Sequence, residues 1–226
     1  MDIVLSSKNQ KKIRELKELL SAYAVDSINV LSLDDIGVSQ DIDEYGTTFE
    51  ENSLIKASVP AKLGYIGIAD DSGLCVDALG GEPGVYSARY SGDGATDDAN
   101  NQKLLQKLTN APTRSARFVC VVSCVFPESA KNVIIPNEFD MTGTYHGITG
   151  DNKAFCIRGA CEGSILAEPR GENGFGYDPL FFVPEMNKSF AELSNEEKNE
   201  ISHRGKAMRL FSKVFSEIIG GYNADR

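Results

Sequence analysis

The residues best suited to chemistry in this chain are carboxylates with no histidine beside them to relay protons: Glu44, Asp70 and Asp71. Asp70 and Asp71 stand side by side in Ile66-Gly-Ile-Ala-Asp-Asp-Ser-Gly73, directly after a short apolar run. Two such charges at the end of an apolar strand are costly unless a cation, a donor or water meets them. Cations are available in two places. Lys8, Lys11 and Lys12 follow the apolar Ile3-Val4-Leu5 in a polar loop that also holds Ser7, Asn9 and Gln10, and Lys56 lies one helical turn after Asn52. A third group sits in Gly171-Glu-Asn-Gly-Phe-Gly-Tyr-Asp-Pro179, where Phe175, Gly176, Tyr177 and Asp178 put aromatic rings and a carboxylate on a close-approach backbone suited to a flat heterocycle. Lys198, His203 and Arg204 follow it.

Each signal also has a structural reading. Asp70-Asp71-Ser72-Gly73 is a good turn sequence, ending the strand Ile66 to Ala69. The lysine loop reads equally as an ordinary capped helix start, Asn52 and Lys56 as a solvated helix face, and Phe175 or Tyr177 as core rings. Taken together, carboxylates without histidines favour a hard cation such as Mg²⁺ over zinc, and Mg²⁺ usually arrives with phosphates. The lysines and helix starts suit a polyphosphate, and Phe175 a base. A Mg²⁺-dependent enzyme acting on a nucleotide polyphosphate follows if these residues converge.

The elements that must position them are legible from periodicity. Residues 3–5 read as a buried strand, followed by an amphipathic helix with Ile13, Leu16, Leu19, Leu20 and Tyr23 on one face and Ser7 or Asn9 as its cap. Residues 28–38 form a weaker apolar stretch. Thr47-Thr48 opens a second helix from Phe49 to about Leu63, which Pro60 should kink or end. Thr96 caps a third helix to about Leu108. Residues 115–126 form a long strand, and 132–135, 139–147 and 153–166 add an antiparallel meander with turns at Asn137 and Gly150-Asp-Asn152. A strand from Leu180 to Val183, a capping box at Ser194-Asn-Glu-Glu197 and a last helix from Arg204 to Ile219, ended by Gly220-Gly221, complete the chain.

Composition narrows the class. The 226 residues, 41% hydrophobic and 25% charged, suit one large domain or two lobes sharing a core. A formal net charge of -10 argues against a broad nucleic-acid-binding surface. Met1-Asp2 leads straight into Ile3-Val4-Leu5, too short for an export region, and no run approaches a membrane span, so no membrane partner is expected. The five cysteines, odd in number and without a C-x-x-C pair, read as reduced thiols in a cytoplasmic protein, with Cys120 and Cys124 in the core.

Six motifs in order resemble the inosine triphosphate pyrophosphatases, the non-standard purine NTP pyrophosphatases: Ser7-x-Asn9-x-x-Lys12, Thr48-Phe-Glu-Glu-Asn-Ser-Leu-Ile-Lys-Ala57, Ala69-Asp-Asp-Ser-Gly73, Gly80-Gly-x-Pro-Gly84 with Ser87-Ala-Arg-Tyr-Ser-Gly92, Gly174-Phe-Gly-Tyr-Asp-Pro179, and Lys198 with Ser202-His-Arg-Gly205. The resemblance implies an α/β fold, an elongated mixed twisted sheet flanked by helices, with two lobes and an active-site cleft between them. It implies Mg²⁺-dependent hydrolysis of ITP, dITP and XTP to the monophosphate and pyrophosphate, usually by a homodimer. By the same resemblance Asp71 is the general base and a metal ligand, with Glu44 the second acidic metal partner. Ser7 to Lys12 and Lys56 hold the triphosphate, Ser72 touches substrate, and Phe175 to Asp178, Lys198, His203 and Arg204 form the base and sugar end. Two departures stand out: Lys8 stands where many relatives have a small residue, and the segment from about Glu128 to Phe155, an extended hairpin at the dimer edge or a lid, is longer than the family pattern. Maf-like pyrophosphatases acting on other nucleotides, and a nucleotide-binding module without hydrolysis, are the rival readings.

Overall fold

The structure, a computed structural model, describes residues 1–7, 10–22, 28–130, 133–135, 145–149 and 153–224. Its elements are β1 (Asp2–Leu5), α1 (Gln10–Ala22), β2 (Asn29–Leu31), α2 (Phe49–Lys62), β3 (Ile66–Val76), α3 (Asp97–Lys107), β4 (Ser115–Val125), β5 (Tyr145–Thr149), β6 (Lys153–Ile165), β7 (Phe181–Val183), β8 (Lys188–Ser189), α4 (Asn195–Ile201) and α5 (His203–Ala224). The described strands form one mixed sheet in the order β2-β1-β3-β4-β6-β7-β8, with β5 paired to β6. The chain divides into two compact units: Met1–Asp71, Val121–Gly159 and Ala207–Arg226 form the first, Ser72–Cys120 and Ala160–Lys206 the second.

In the first unit β1 pairs in parallel with β2 on one side, Ile3 opposite Val30, and with β3 on the other, Val4 opposite Gly67. Parallel neighbours need crossovers, and α1 and α2 supply them. Strand order reverses between β2 and β3, which makes the carboxyl end of β1, beside the middle of β3, a topological switch point, the usual place for a ligand in such sheets. Ile13, Leu16 and Leu20 of α1 are buried, as its stripe predicts; Tyr23 lies outside the described residues. On α2 the Glu51 N–H donates to Thr48 Oγ1 at 3.1 Å and the Glu51 carboxylate accepts from the Thr48 N–H, a capping box. Pro60 sits in its last turn, and the helix ends two residues later with the Leu63 and Tyr65 N–H groups both donating to the Pro60 carbonyl. On α5, Met208, Phe211, Val214, Phe215 and Ile218 are buried.

Three local expectations are overturned. The strand at Ile66 does not break at Ala69: β3 continues through Asp70-Asp71-Ser72-Gly73 to Val76, because both carboxylates find lysines and the turn propensity of Asp-Ser-Gly yields to the ladder. Gly220-Gly221 does not end the last helix, which continues to Ala224; Gly220 is outside the left-handed region that would turn the chain, so it only weakens the helix. Residues 133–135 carry no strand, since the Val133 N–H turns back to the Ala130 carbonyl. The expected turns at Asn137 and 150–152, and the strand over 139–144, lie outside the described residues.

β5 and β6 pair antiparallel from Tyr145 opposite Ile157 to Thr149 opposite Lys153. In the second unit β6–β7 and β7–β8 are antiparallel, as a meander requires. Its core gathers Leu74, Leu104, Phe118, Phe181 and Phe190. Thr96 Oγ1 accepts the Ala99 N–H to cap α3, and Ser194 with Glu197 forms the capping box of α4. All five cysteines are free thiols, four of them buried, and burial raises the thiols of Cys124, Cys156 and Cys161, Cys156 and Cys161 to about 11.

Candidate active site

Successive side chains of a strand point to opposite faces, so β3 separates its two carboxylates. Gly67, Ala69 and Asp71 share one face; Ile68 and Asp70 share the other. The first face is small by sequence, and α2 uses that. Ala57 packs against Ala69, and a Cβ on Gly67 would lie 1.9 Å from the Ala57 carbonyl oxygen and 2.9 Å from Pro60 Cγ. α2 therefore rests on the β3 backbone, one turn of helix from Asp71.

At that height Lys56 meets the acids. Its Nζ donates to Asp71 Oδ1 at 3.0 Å and to Glu44 Oε1 at 3.1 Å, and the Lys56 and Asp71 side chains are only 13% and 12% exposed. Glu44 comes from the loop before α2, which is anchored by the Gly46 N–H donating to Asn52 Oδ1 at 2.8 Å. Burial alone would depress the Lys56 ammonium, but Asp71 and Glu44 outweigh it and hold its pKa above the ordinary value. For Asp71 burial is the largest influence and pushes its carboxyl up; Lys56 pulls it back, Glu44 pushes it up again, and the balance lies above the ordinary carboxylate value. The Asn52 amide helps to favour the ionised Asp71 without reaching hydrogen-bond geometry, and Asn52 Nδ2 and Asp71 Oδ2 are buried atoms with no hydrogen-bond partner among the described residues.

Asp70, on the other face, is 8% exposed and accepts from Lys12 Nζ of α1 at 2.7 Å. The two neighbouring carboxylates thus answer to two different helices, and Asp70 is not brought onto the Glu44–Asp71 pair. Among the described residues no three His, Cys, Asp or Glu side chains gather into a metal cluster. Two carboxylates suffice for a Mg²⁺ that takes its other ligands from phosphates and water, and the partnerless Asp71 Oδ2 beside Glu44 is a hard-oxygen donor of the right kind.

In the second unit the aromatic loop splits. Phe175 is 78% exposed, whereas Tyr177 is buried in the core with its hydroxyl donating to the Ser87 carbonyl at 2.9 Å. Asp178 holds this shape: its buried Oδ2 accepts the Phe175 N–H at 2.9 Å and the Lys198 ammonium. Lys198 Nζ lies 5.1 Å from the Phe175 ring centre and 5.3 Å from that of Phe190. His203, at the start of α5, stacks on Phe118 with ring centres 4.7 Å apart, and Arg204 beside it is half-buried. Two residues that sequence reasoning does not single out grip Gly176 from α3: Asp97 Oδ2 accepts its N–H at 2.6 Å and Asn101 Nδ2 donates to its carbonyl at 3.0 Å. Their spacing, i and i+4 just after the Thr96 cap, is the signal that was available.

Of the remaining candidates, Ser7 is half-buried with its N–H donating to the Leu5 carbonyl, and Ser72 is exposed. Lys8 and Asn9 lie outside the described residues, and Gln10 and Lys11 open α1.

With this geometry, comparison with known proteins is decisive. The sequence model of the Ham1 family matches residues 3–214. The chain belongs to the Ham1 family. Over 218 residues it is 45% identical to the dITP/XTP pyrophosphatase of Bacillus cereus, covering 95% of each chain. It is 46% identical over 218 residues to that of Desulfotalea psychrophila, covering 96% of this chain and 86% of the relative. Its fold is similar to that of the Ham1 protein of Coxiella burnetii, with a TM-score of 0.81 and 41% identity over 96% of this chain and 99% of that one. This Ham1-family chain therefore has the mixed α/β fold that its motifs imply.

Proposed function

We propose that this chain hydrolyses the non-standard purine nucleotides ITP, dITP and XTP to the monophosphate and pyrophosphate. The observation that carries the reading is the half-buried Lys56 bridging Glu44 and Asp71 at the switch point of a Ham1-family sheet. Asp71 takes the proton of the attacking water as general base; its raised pKa brings its basicity nearer that task. Glu44 and Asp71 are the residues that would hold Mg²⁺, which when bound neutralises phosphate charge. Ser7, Lys8, Asn9, Gln10, Lys11, Lys12 and Lys56 hold the triphosphate, with Ser72 beside them; the phosphates compete with Asp70 and Asp71 for Lys12 and Lys56.

Phe175 offers an exposed face to the base, and Gly176, Tyr177, Asp178, Lys198, His203 and Arg204 complete that end. Selection of 6-oxo purines comes from donors aimed at O6, which an adenine amino group would leave unpaired. In the 175–178 loop the N–H groups of Phe175, Gly176 and Asp178 already donate to Asp178, Asp97 and Phe175, so we assign this task to the Tyr177 N–H and to Arg204.

No helix among the described residues is long and apolar enough to cross a membrane. We further propose a cytoplasmic homodimer, the compartment supported by the free thiols. The test is Mg²⁺-dependent pyrophosphate release from ITP, dITP and XTP beside ATP, GTP, dTTP and UTP. Preference for the first three supports the reading. Preference for dTTP or UTP favours Maf-like chemistry, and tight ITP binding without pyrophosphate release favours a binding module.

A further inference from the structure

We infer that Ser6 is a positioning residue for Lys56: its hydroxyl supplies the hydrogen bond that Pro60 withholds from the Lys56 carbonyl. The inference rests on the proposed role of Lys56 at the acid pair. In a helix the carbonyl of Lys56 takes its hydrogen bond from the N–H of residue 60, four positions on. Pro60 has no N–H to give, and its ring crowds that same carbonyl. Ser6 Oγ donates to the Lys56 carbonyl at 2.8 Å, from the end of β1. A partly buried carbonyl left without a donor is unfavourable, so the pairing is a replacement rather than an addition.

Ser6 also touches the other half of the site. Its N–H donates to the Ile68 carbonyl on β3 at 2.7 Å, three residues before Asp71. One residue is thus bonded to the backbone of the strand that carries Asp71 and to the backbone of the helix turn that carries Lys56. The Pro60 ring, seated against Gly67, fixes the same turn from the sheet side. Ser6 and Pro60 together set where the Lys56 ammonium falls relative to Asp71 and Glu44, Ser6 acting through the Lys56 backbone.

The test is a double-mutant cycle of Ser6→Ala and Pro60→Ala, with Ser6→Thr as the conservative variant, read by melting temperature and by kcat and KM for dITP. Ser6→Ala should lower kcat about fivefold or more at temperatures well below melting, with a smaller change in KM. Ser6→Thr should keep kcat within about twofold of the parent. In the Pro60→Ala background the backbone regains an N–H at position 60 that can reach the Lys56 carbonyl, so Ser6→Ala should change both melting temperature and kcat far less. Equal losses in the two backgrounds overturn the exchange of hydrogen bonds. A fall in melting temperature with kcat unchanged overturns the positioning role. If the parent releases no pyrophosphate the proposed function fails instead, and the melting-temperature cycle still decides whether Ser6 replaces the bond that Pro60 lacks.

Discussion

Gly67→Ala tests whether the height of α2 over β3 governs the acid–lysine pair. The added Cβ would stand 1.9 Å from the Ala57 carbonyl oxygen and 2.9 Å from Pro60 Cγ. An ordinary contact begins at 3.4 Å, so helix and strand must separate locally by about 1.5 Å, the difference between 3.4 and 1.9. The obstacle is a backbone carbonyl and a proline ring, neither of which can swing aside. Overpacking of this kind costs about 3 kcal/mol, near the upper end of its usual range. For a chain of this length that corresponds to a fall in melting temperature of roughly 6–12 °C. Lys56 and Asn52 ride on the displaced helix while Asp71 stays with the strand. A misplacement of about 1 Å at a reacting constellation reduces turnover on the order of 100-fold. Thermal melts and pyrophosphate release from dITP measure the two effects separately. Normal stability would show that α2 does not rest on Gly67. Lost stability with kcat/KM within about twofold of the parent would show that the height of α2 does not set the lysine.

Two further predictions follow from charge and backbone. Lys56→Met removes the main influence holding the Asp71 carboxyl down against burial, so that carboxyl should move further above its ordinary value. A carboxyl raised on folding keeps its proton to higher pH than in the unfolded chain, so stability falls from about the ordinary 3.8 up to the folded value and is level above it. The Lys56 contribution in the parent is present below 10.5 and is lost only above it, so it is flat across this range. Urea melts between pH 4 and pH 9 in metal-free buffer should therefore show the decline reaching to higher pH in Lys56→Met than in the parent; an unchanged pH dependence would contradict it. Gly174→Ala places a Cβ 2.1 Å from Asp178 Oδ2 at a φ of +81°, displacing the carboxylate that holds Phe175 and Lys198. It should raise KM for dITP by about tenfold and lower stability by about 1–2 kcal/mol, and an unaltered KM would remove this loop from substrate binding.

Most elements were legible because their signals are local. The stripe of α1, the Thr48 and Thr96 caps, the Ser194 capping box and the buried face of α5 each depend on residues within a few positions. The misread strand at Ile66 depends on partners far along the chain. Asp-Asp-Ser-Gly is turn-like by itself, and only Lys12 and Lys56, 58 and 15 residues away from their acids, keep it in a strand. The candidate site was visible as residue types, but not as two faces of one strand, because no local pattern gives the height of α2 over Gly67. The same holds for the loop at Gly174: alternating Phe175 and Tyr177 look equivalent in sequence, and burial of the Tyr177 ring with its hydroxyl on the Ser87 carbonyl, 90 positions away, separates them.

The central claim is that Asp71, held between Lys56 and Glu44, is the base that activates water. It is tested most directly by Mg²⁺-dependent pyrophosphate release from dITP by Asp71→Asn, with circular dichroism confirming that the variant is folded. Asp71→Asn should lose turnover by about 100-fold or more while remaining folded. Near-parental release by the folded variant would contradict it.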